Sequence, residues 1–418
     1  MSILIKNALL DGKNQDIYIE DNRITTIGSA IRQKAEHEID GTNKAAIPSF
    51  FNGHTHAAMT LFRGWADDMP LQEWLETKIW QTEAKLTEQD VYIGARLACL
   101  EMIRSGTTFF NDMYLHWHGT ARAARDMGIR AHISDVFFDF CDQKKAAGEI
   151  QKNREIFQDS KKYPDTVGFS LGPHAIYSVS KESLLWHKEF ADENKLLIHM
   201  HLSETRKEVD DCIKQHGKRP AEYLEEIGFL GPNVIACHSV WLDKKEIAIL
   251  ANHKVKVAHN PTSNMKLSVG EAIRYKELRA AGVTVCLGTD GCASNNNLDM
   301  LEEMKIAALL QKHATNEPTA MAARETFEMA TINGAKAFGI DAGEIAVGKL
   351  ADLLLIDLKR PELVPHHDLI SNLVYSANGY CVDTTICNGK IIMQNRKVEG
   401  EEKIMEEAER AAKKLMTK

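Results

Sequence analysis

Apolar and polar residues follow two different patterns along the chain. Near the start, short β-rich runs at 3–10, 17–20 and 24–27 are separated by turn residues, which predicts a small antiparallel sheet. From about residue 50 onward, apolar runs of strand length alternate with segments of helical periodicity. The first run ends at His56 and the second begins at Thr107. The other six lie at 129–136, 167–171, 196–201, 234–238, 255–259 and 283–289. Eight strands alternating with helices predict an α/β fold in which a parallel sheet closes into a (β/α)8 TIM-like barrel.

One helix in this region carries its own start and stop signals. Thr87 and Asp90 form a capping box ahead of an apolar-periodic stretch, and Gly106 follows Arg104 as a stop. The sequence therefore predicts a helix from Thr87 to Arg104 that leads directly into the strand beginning at Thr107.

The last part of the chain returns to short strands and turns. Strand patterns occur at 350–357 and 384–398, the latter with Asn388-Gly389 as a hairpin turn, and a charged amphipathic helix follows at 399–418. We therefore predict two domains. A small β-sandwich is formed by both chain ends, residues 1–49 and 346–418, and the barrel comprises residues 50–345.

Charge and composition limit the classes of partner. The 51 Lys and Arg residues against 59 Asp and Glu residues give a formal charge of −8, so we expect neither polymeric nucleic acid nor anionic membrane as a partner. No apolar run is long enough to span a bilayer and no targeting segment is recognisable, which favours a soluble cytoplasmic protein. The eight cysteines lack CxxC spacing and are expected to be buried thiols.

The chemistry is concentrated at the predicted strand ends. His54 and His56 stand two residues apart at the end of one strand, so both imidazoles point to the same side. Such a pair occurs by chance in ordinary loops, but His201, His238 and Asp290 end three further strands. Because the carboxyl ends of barrel strands converge on one mouth, these five side chains are expected to meet there. Imidazole and carboxylate groups in that number predict a site for a divalent metal.

Six segments carry a resemblance to a known family. They are PSFFNGHTHAAMTLFRGWADD, SGTTFFNDMY, HMHLSET, ACHSVWL, VAHNPTSNMKL and GTDGCASNNNLDM. Over nearly its full length the chain resembles the amidohydrolase superfamily and, within it, the 5′-methylthioadenosine/S-adenosylhomocysteine deaminases. The resemblance implies a metallo-dependent hydrolase barrel beside a split β-sandwich. It also implies hydrolytic deamination of an adenosine-like nucleoside to the inosine analogue and ammonia, in a route of purine salvage.

The resemblance assigns roles to the strand-end residues. It implies that His54, His56, His201 and Asp290 hold one divalent ion, with zinc as the first choice and iron, manganese or nickel as alternatives. Glu204 would carry a proton from water to the purine ring, and His238 with Asp290 would orient the water. The fourth strand leads to His174 instead of the lysine that bridges two metals in the hydantoinase and dihydroorotase branches, which favours a single ion.

The same resemblance implies a set of substrate contacts. Glu83 would accept both ribose hydroxyls, Trp74 would form an aromatic wall, and His174, Ser294 and Glu204 would contact the purine side. For Trp74 the alternative is simple helix packing on the barrel, and for Glu83 an exposed carboxylate at a helix start.

The chain departs from the family where S-adenosylhomocysteine deaminases use arginines to hold the amino-acid carboxylate. Residues 135–145 contain aspartates, phenylalanines and lysines there, and Arg154 is the only arginine before the fourth strand. This favours small or apolar 5′ groups, as in 5′-methylthioadenosine, 5′-deoxyadenosine or adenosine.

Two alternative functions remain open at this point. A related enzyme could deaminate or dechlorinate a free heterocycle such as guanine, cytosine, a pterin or a triazine, for which Glu83 would have no role. A non-catalytic scaffold on the same fold would have lost its metal ligands, whereas here every ligand position is filled. The zinc site of cytidine deaminases is excluded because its HxE and PCxxC motifs do not occur. We expect a homo-oligomer that acts on a small-molecule nucleoside.

Overall fold

The computed structural model describes residues 1–69 and 71–417. The strands are β1 (Ser2–Leu10), β2 (Lys13–Glu20), β3 (Arg23–Gly28), β4 (His37–Asp40), β5 (Lys44–Pro48), β6 (Phe50–Thr55), β7 (Thr107–Tyr114), β8 (Arg130–Phe137), β9 (Val167–Phe169), β10 (Gly172–Pro173), β11 (Ile198–Leu202), β12 (Val234–His238), β13 (Lys256–His259), β14 (Val285–Leu287), β15 (Leu353–Asp357), β16 (Val382–Cys387) and β17 (Lys390–Met393).

The α-helices alternate with the central strands. They are α1 (Leu71–Trp74), α2 (Trp80–Glu83), α3 (Glu88–Ser105), α4 (Trp117–Met127), α5 (Gln143–Ser160), α6 (Lys181–Asn194), α7 (Arg206–His216), α8 (Pro220–Glu226), α9 (Lys244–Asn252), α10 (Pro261–Lys266), α11 (Tyr275–Ala280), α12 (Met300–Thr315), α13 (Ala323–Ala330), α14 (Ile332–Phe338), α15 (Leu369–Tyr375) and α16 (Glu401–Thr417). Turns of 3₁₀-helix lie at Ala57–Phe62, Pro361–Leu363 and Gly379–Cys381, and a π-helical turn at Leu75–Ile79 joins α1 to α2.

Strands from both ends of the sequence share one eight-stranded sheet. Its order is β17-β16-β15-β5-β1-β2-β3, and β4 pairs with β1. The two parts of the sequence meet at the antiparallel pair β5–β15, where Leu353 lies opposite Pro48 and Asp357 opposite Lys44. An apolar cluster that includes Ile5, Ile17 and Leu353 buries side chains of this sheet. Hydrophobic burial thus joins segments that are far apart in sequence.

The central strands form two parallel sheets, one of β6 to β10 and one of β11 to β14. The predicted fourth strand is divided into β9 and β10 because the chain changes partner between them: Ser170 N–H donates to the Ile133 carbonyl at 3.0 Å, whereas Leu171 N–H donates to the Leu197 carbonyl at 2.9 Å. A parallel bridge between Leu171 and Ile198 joins the two sheets on this side. The mixed α/β architecture agrees with the prediction, with pairing in two sheets instead of one continuous ring of eight strands.

The capping prediction for one helix is confirmed. α3 begins after Thr87, whose side chain accepts from Asp90 N–H while the Asp90 carboxylate accepts from Thr87 N–H, and it ends at Gly106 with a φ of 95°. Glycine is favoured there because the left-handed conformation has no steric cost without a Cβ.

The predicted C-terminal helix is also present, as α16, and packs on α3. Arg96 pairs with Glu407 at 2.9 Å and Arg104 with Glu401 at 3.1 Å. Its apolar residues, such as Leu415, share a buried cluster with Trp74 and so support the segment that precedes α3. This contact links the helix to the residues around the central cavity.

The cysteines behave largely as predicted. All eight are free thiols, seven of them buried, and Cys141 is exposed. Across residues 1–69 and 71–417, none of the helices combines the length and the hydropathy required to cross a membrane.

Candidate metal centre and substrate cavity

The predicted site residues gather around one cavity of about 740 Å³ at the carboxyl ends of the parallel strands. Its lining includes nine of the residues singled out from the sequence: His56, Trp74, Glu83, His174, His201, Glu204, His238, Asp290 and Ser294. His54, the tenth, is fully buried and touches the rings of His56 and His201 at centroid distances of 4.8 and 5.0 Å. The convergence expected from strand order is therefore present.

Four side chains place metal-binding atoms close together. Oδ1 of Asp290 lies 3.3 Å from Nε2 of His54 and 3.2 Å from Nε2 of His56. Ligand atoms of His54, His56 and His201 lie within 4.8 Å of one another. The buried Nε2 of His54 has no hydrogen-bond partner among the described residues. A buried polar atom without a partner is costly, so this arrangement fits residues that hold an ion.

Hydrogen bonds determine which ring nitrogen two of these histidines present to the cavity. His56 Nδ1 donates to the Met113 carbonyl at 2.5 Å, and His201 Nδ1 donates to the His174 carbonyl at 3.0 Å. Since a carbonyl can only accept, both rings carry their proton on Nδ1 and keep the lone pair of Nε2 for a metal. The third ring, His54, has no such carbonyl: its Nδ1 lies 2.8 Å from Nε2 of His199.

Asp290 is held as an ionised carboxylate. Its Oδ2 accepts from Ser263 Oγ at 2.6 Å and from Ser294 Oγ at 3.0 Å, while Oδ1 faces the histidines. Burial acts to raise its pKa, but the adjoining imidazoles of His54 and His56 outweigh burial and bring that pKa well below its ordinary value. Three imidazoles and one carboxylate oxygen form a donor set suited to zinc or a similar divalent ion.

The backbone at the strand ends is unusual in ways that position these side chains. His238 and Asp290 adopt left-handed conformations, with φ of 66° and 60°. Non-glycine residues adopt this conformation rarely, and active sites are among the places where they cluster. Gly288 stands two residues before Asp290. A Cβ at this position would lie 2.5 Å from Asn260 Oδ1 and 2.7 Å from His54 N. Only glycine lets the two strand ends approach so closely.

Glu204 and His238 lie close together in the cavity wall. Oε1 of Glu204 lies 3.8 Å from Nδ1 of His238, which donates to Asn264 Oδ1 at 2.8 Å. Burial raises the pKa of Glu204. Glu208 stabilises the loop after β11, because its two carboxylate oxygens accept from the N–H groups of Ser203 and Glu204 at 2.7 and 2.8 Å.

Glu83 and Trp74 also line the cavity. Burial raises the pKa of Glu83 to about 7, against the opposing effects of a hydrogen bond from Tyr114 and the charge of His56. The Trp74 side chain is 5% exposed and packs in the apolar cluster shared with α16 while also lining the cavity. Trp74 therefore both packs against neighbouring helices and forms part of the cavity wall. The Glu83 carboxylate faces the cavity and is not an exposed group at a helix start.

Aromatic residues surround the outer part of the cavity. The Phe138 and Phe140 rings stack with centroids 5.7 Å apart and planes 4° apart, and Lys145 Nζ lies 4.5 Å from the Phe140 centroid. Within the described residues no arginine lines this cavity; Arg154, on α5, lines a separate surface depression. The cavity therefore lacks the bidentate group that an amino-acid carboxylate prefers.

Sequence reasoning missed the residues that hold the site residues in place: Tyr114, His199, Glu208, Ser263 and Asn264. One of them had a visible signal. His199 stands two residues before His201, so strand alternation places both side chains on the same face. Tyr114 is the last residue of β7, and the others reach the site from the first turns of α7 and α10, where no strand alternation indicates direction.

Comparison with known proteins decides the family. Residues 45–392 match the amidohydrolase family. The chain belongs to this family. This chain is 50% identical to 5′-deoxyadenosine deaminase of Methanoregula boonei, over 99% of this chain and 95% of that protein. It is 52% identical to 5-methylthioadenosine/S-adenosylhomocysteine deaminase 1 of Archaeoglobus fulgidus, over 99% of both. A zinc-bound crystal structure of an adenosine deaminase from Xanthomonas campestris superposes with a TM-score of 0.94 at 31% identity, covering 100% of this chain and 98% of that one.

These relatives confirm three predictions made from the sequence. The chain is an amidohydrolase, it is a hydrolase acting on carbon–nitrogen bonds, and its reaction is the deamination of an adenosine-like nucleoside. A small-molecule nucleoside is accordingly its substrate.

Proposed function

We propose that this amidohydrolase deaminates adenosine-like nucleosides with a small or apolar 5′ group, using one divalent ion held by His54, His56, His201 and Asp290. The observation that carries the proposal is the convergence of three imidazoles and an ionised carboxylate at one cavity, with a buried Nε2 that has no other partner. Zinc suits this donor set, and iron, manganese or nickel are the alternatives that metal analysis would identify.

The reaction replaces the exocyclic amine of the purine by oxygen: a carbon–oxygen bond to water forms, a carbon–nitrogen bond breaks, and ammonia leaves. An ion held by these ligands would lower the pKa of a bound water from 15.7 to about 7 and so would supply a nucleophile at neutral pH. Glu204 accepts a proton from the water and delivers it to the adjacent ring nitrogen. His238 and Asp290 orient the attacking water and pass its second proton to the departing amine, which leaves as ammonia.

The cavity walls support a nucleoside over a free base. Glu83 offers two carboxylate oxygens to the two ribose hydroxyls, Trp74 forms an apolar wall, and His174 and Ser294 contact the purine side. The stacked Phe138 and Phe140 rings favour a methyl or methylthio group at the 5′ position. A homocysteine tail would leave its carboxylate without a bidentate partner.

The finer architecture belongs to the same proposal. We infer that the two parallel sheets together make the (β/α)8 barrel of residues 50–345. The Leu171–Ile198 bridge joins the sheets on one side, and on the other side Asp290 N–H donates to the His54 carbonyl at 3.0 Å. The shared sheet, of residues 1–49 and 346–418, would be the β-sandwich domain. We also predict that the protein is a homo-oligomer, which size-exclusion measurements would test.

A substrate panel with one variant tests the proposed function. Wild-type protein, Glu83→Gln and the control Glu73→Gln, which changes an exposed carboxylate of the same segment, are mixed separately with adenine nucleosides, guanine and triazines. Ultraviolet absorbance and ammonia release report turnover. We expect nucleosides alone to react, and Glu83→Gln alone to lose most of kcat/KM. Turnover of guanine or a triazine with unchanged nucleosides would refute the choice of substrate.

A further inference from the structure

His199 lies directly behind the metal ligands, next to His54. Both it and Cys237 are fully buried, and Nε2 of His199 lies 2.8 Å from Nδ1 of His54 and 3.0 Å from Sγ of Cys237. None of the residues used in the proposed reaction explains why a histidine occupies this dry position.

The spacing of these three atoms distinguishes hydrogen bonds from a second metal site. The donor atoms of His54, His199 and Cys237 lie within 4.8 Å of one another, as a metal site would require. However, nitrogen ligands about 2.0–2.1 Å from a tetrahedral zinc lie about 3.3 Å apart. The separations of 2.8 and 3.0 Å are too short for that, whereas the separations of 3.3 and 3.2 Å between Asp290 and its two histidines match it.

The proton between His54 and His199 decides whether His54 can bind an ion. If His199 carries its proton on Nδ1, its Nε2 accepts from His54 Nδ1, and Nε2 of His54 keeps a lone pair toward Asp290. If His199 carries its proton on Nε2, His54 must accept on Nδ1 and carries its own proton on Nε2, where it cannot coordinate a metal. The other two histidine ligands face carbonyls, which allow one arrangement only.

We propose that His199 is a positioning residue that accepts the Nδ1 proton of His54 and thereby keeps His54 in its metal-binding tautomer. This rests on the proposed metal site. His199 thus does for His54 what main-chain carbonyls do for His56 and His201.

The test compares metal affinity in variants of the full-length protein. His199→Leu removes the acceptor, whereas His199→Gln restores an oxygen at the distance of Nε2. His132→Leu is the matched control, because His132 is a histidine of β8 whose ring packs against Phe109 and Phe338. Zinc dissociation constants are measured by competition with a chelator, zinc per chain by elemental analysis, and thermal unfolding with and without zinc.

We expect His199→Leu to weaken zinc binding by about 10- to 100-fold, the usual effect of losing a partner behind a metal ligand. His199→Gln should recover most of that loss, and His132→Leu should bind as the wild type does. Equal affinity in His199→Leu and wild type would overturn the proposal, as would an equal loss in both His199 variants. Two zinc ions per wild-type chain, with one lost in Cys237→Ser, would also overturn it. Failure of the wild type to bind any divalent ion would instead contradict the proposed function.

Discussion

The carboxylate of Glu208 offers a measurable link between the loop after β11 and catalysis. It is 6% exposed and accepts two backbone N–H groups, at 2.7 and 2.8 Å, one of them from Glu204 itself. Glu208→Gln keeps one acceptor oxygen and places an amide N–H₂ against the other donor. Burial raises the pKa of Glu208 to about 8, so the variants are compared above that pH, where the group is ionised. Because a hydrogen bond to a charged group contributes about 1.5–3 kcal/mol and an unpaired buried donor costs a further amount, we expect Glu208→Gln to lose about 2–4 kcal/mol of folding stability.

Part of this loss should appear in turnover. A displacement of about 1 Å in a reacting group can cost about 100-fold in rate, so kcat should fall by that order while KM changes little. Glu246→Gln is the matched control: Glu246 is fully buried and accepts the N–H groups of Asp243 and Ala221 at 3.0 and 3.1 Å, but it does not line the cavity.

Steady-state kinetics on an adenine nucleoside, together with thermal unfolding, separate the two effects. Both variants should lose stability, and only Glu208→Gln should lose kcat. The reasoning fails if Glu208→Gln retains wild-type kcat, or if Glu246→Gln loses kcat to the same extent.

Three further predictions concern pH, metal and specificity. Because the pKa of Glu83 is raised to about 7 and only its ionised form accepts both ribose hydroxyls, kcat/KM for nucleosides should fall below pH 7 more steeply than the roughly tenfold per unit that an ion-bound water with a pKa of about 7 would give alone. Glu83→Gln should keep only that shallower limb, and a variant profile as steep as that of the wild type would contradict the assignment. Removing metal with a chelator should abolish turnover and lower the unfolding temperature, and one equivalent of zinc should restore both. The temperature changes because a ligand present at about 1,000 times its Kd stabilises the folded protein by about 4 kcal/mol. Full activity after complete removal of metal would refute a metal role. Phe140→Arg places a guanidinium at the cavity mouth, where Phe140 is 56% exposed, and should raise kcat/KM for S-adenosylhomocysteine relative to 5′-deoxyadenosine by about tenfold; an unchanged ratio would show that this wall does not select the 5′ group.

Much of the site follows from strand order and alternation. The carboxyl ends of parallel strands converge, so His56, His201 and Asp290 could be placed together from the spacing of apolar runs alone. The same logic places His199 on the face of His201. Local signals were equally informative for α3, where Thr87, Asp90 and Gly106 mark both ends.

Features that depend on distant contacts could not be predicted in this way. The break between β9 and β10 arises because Ser170 and Leu171 bond to different neighbouring strands, which no local pattern encodes. His238 faces the cavity through a left-handed backbone conformation, whereas strand alternation would direct adjacent Cys237 and His238 to opposite sides. Asn264 reaches His238 from the short helix α10, whose six residues carry too little periodicity to show a direction.

The pairing of β5 with β15 has a consequence for the order of assembly. Partners in this ladder stand 305 to 313 positions apart in the sequence (353 minus 48 and 357 minus 44). Bringing such distant segments together in an otherwise disordered chain costs about 5 kcal/mol of closure entropy from chain length alone. We therefore expect the intervening strands and helices to become compact first, so that β5 and β15 join late in folding, after the histidines have been brought together.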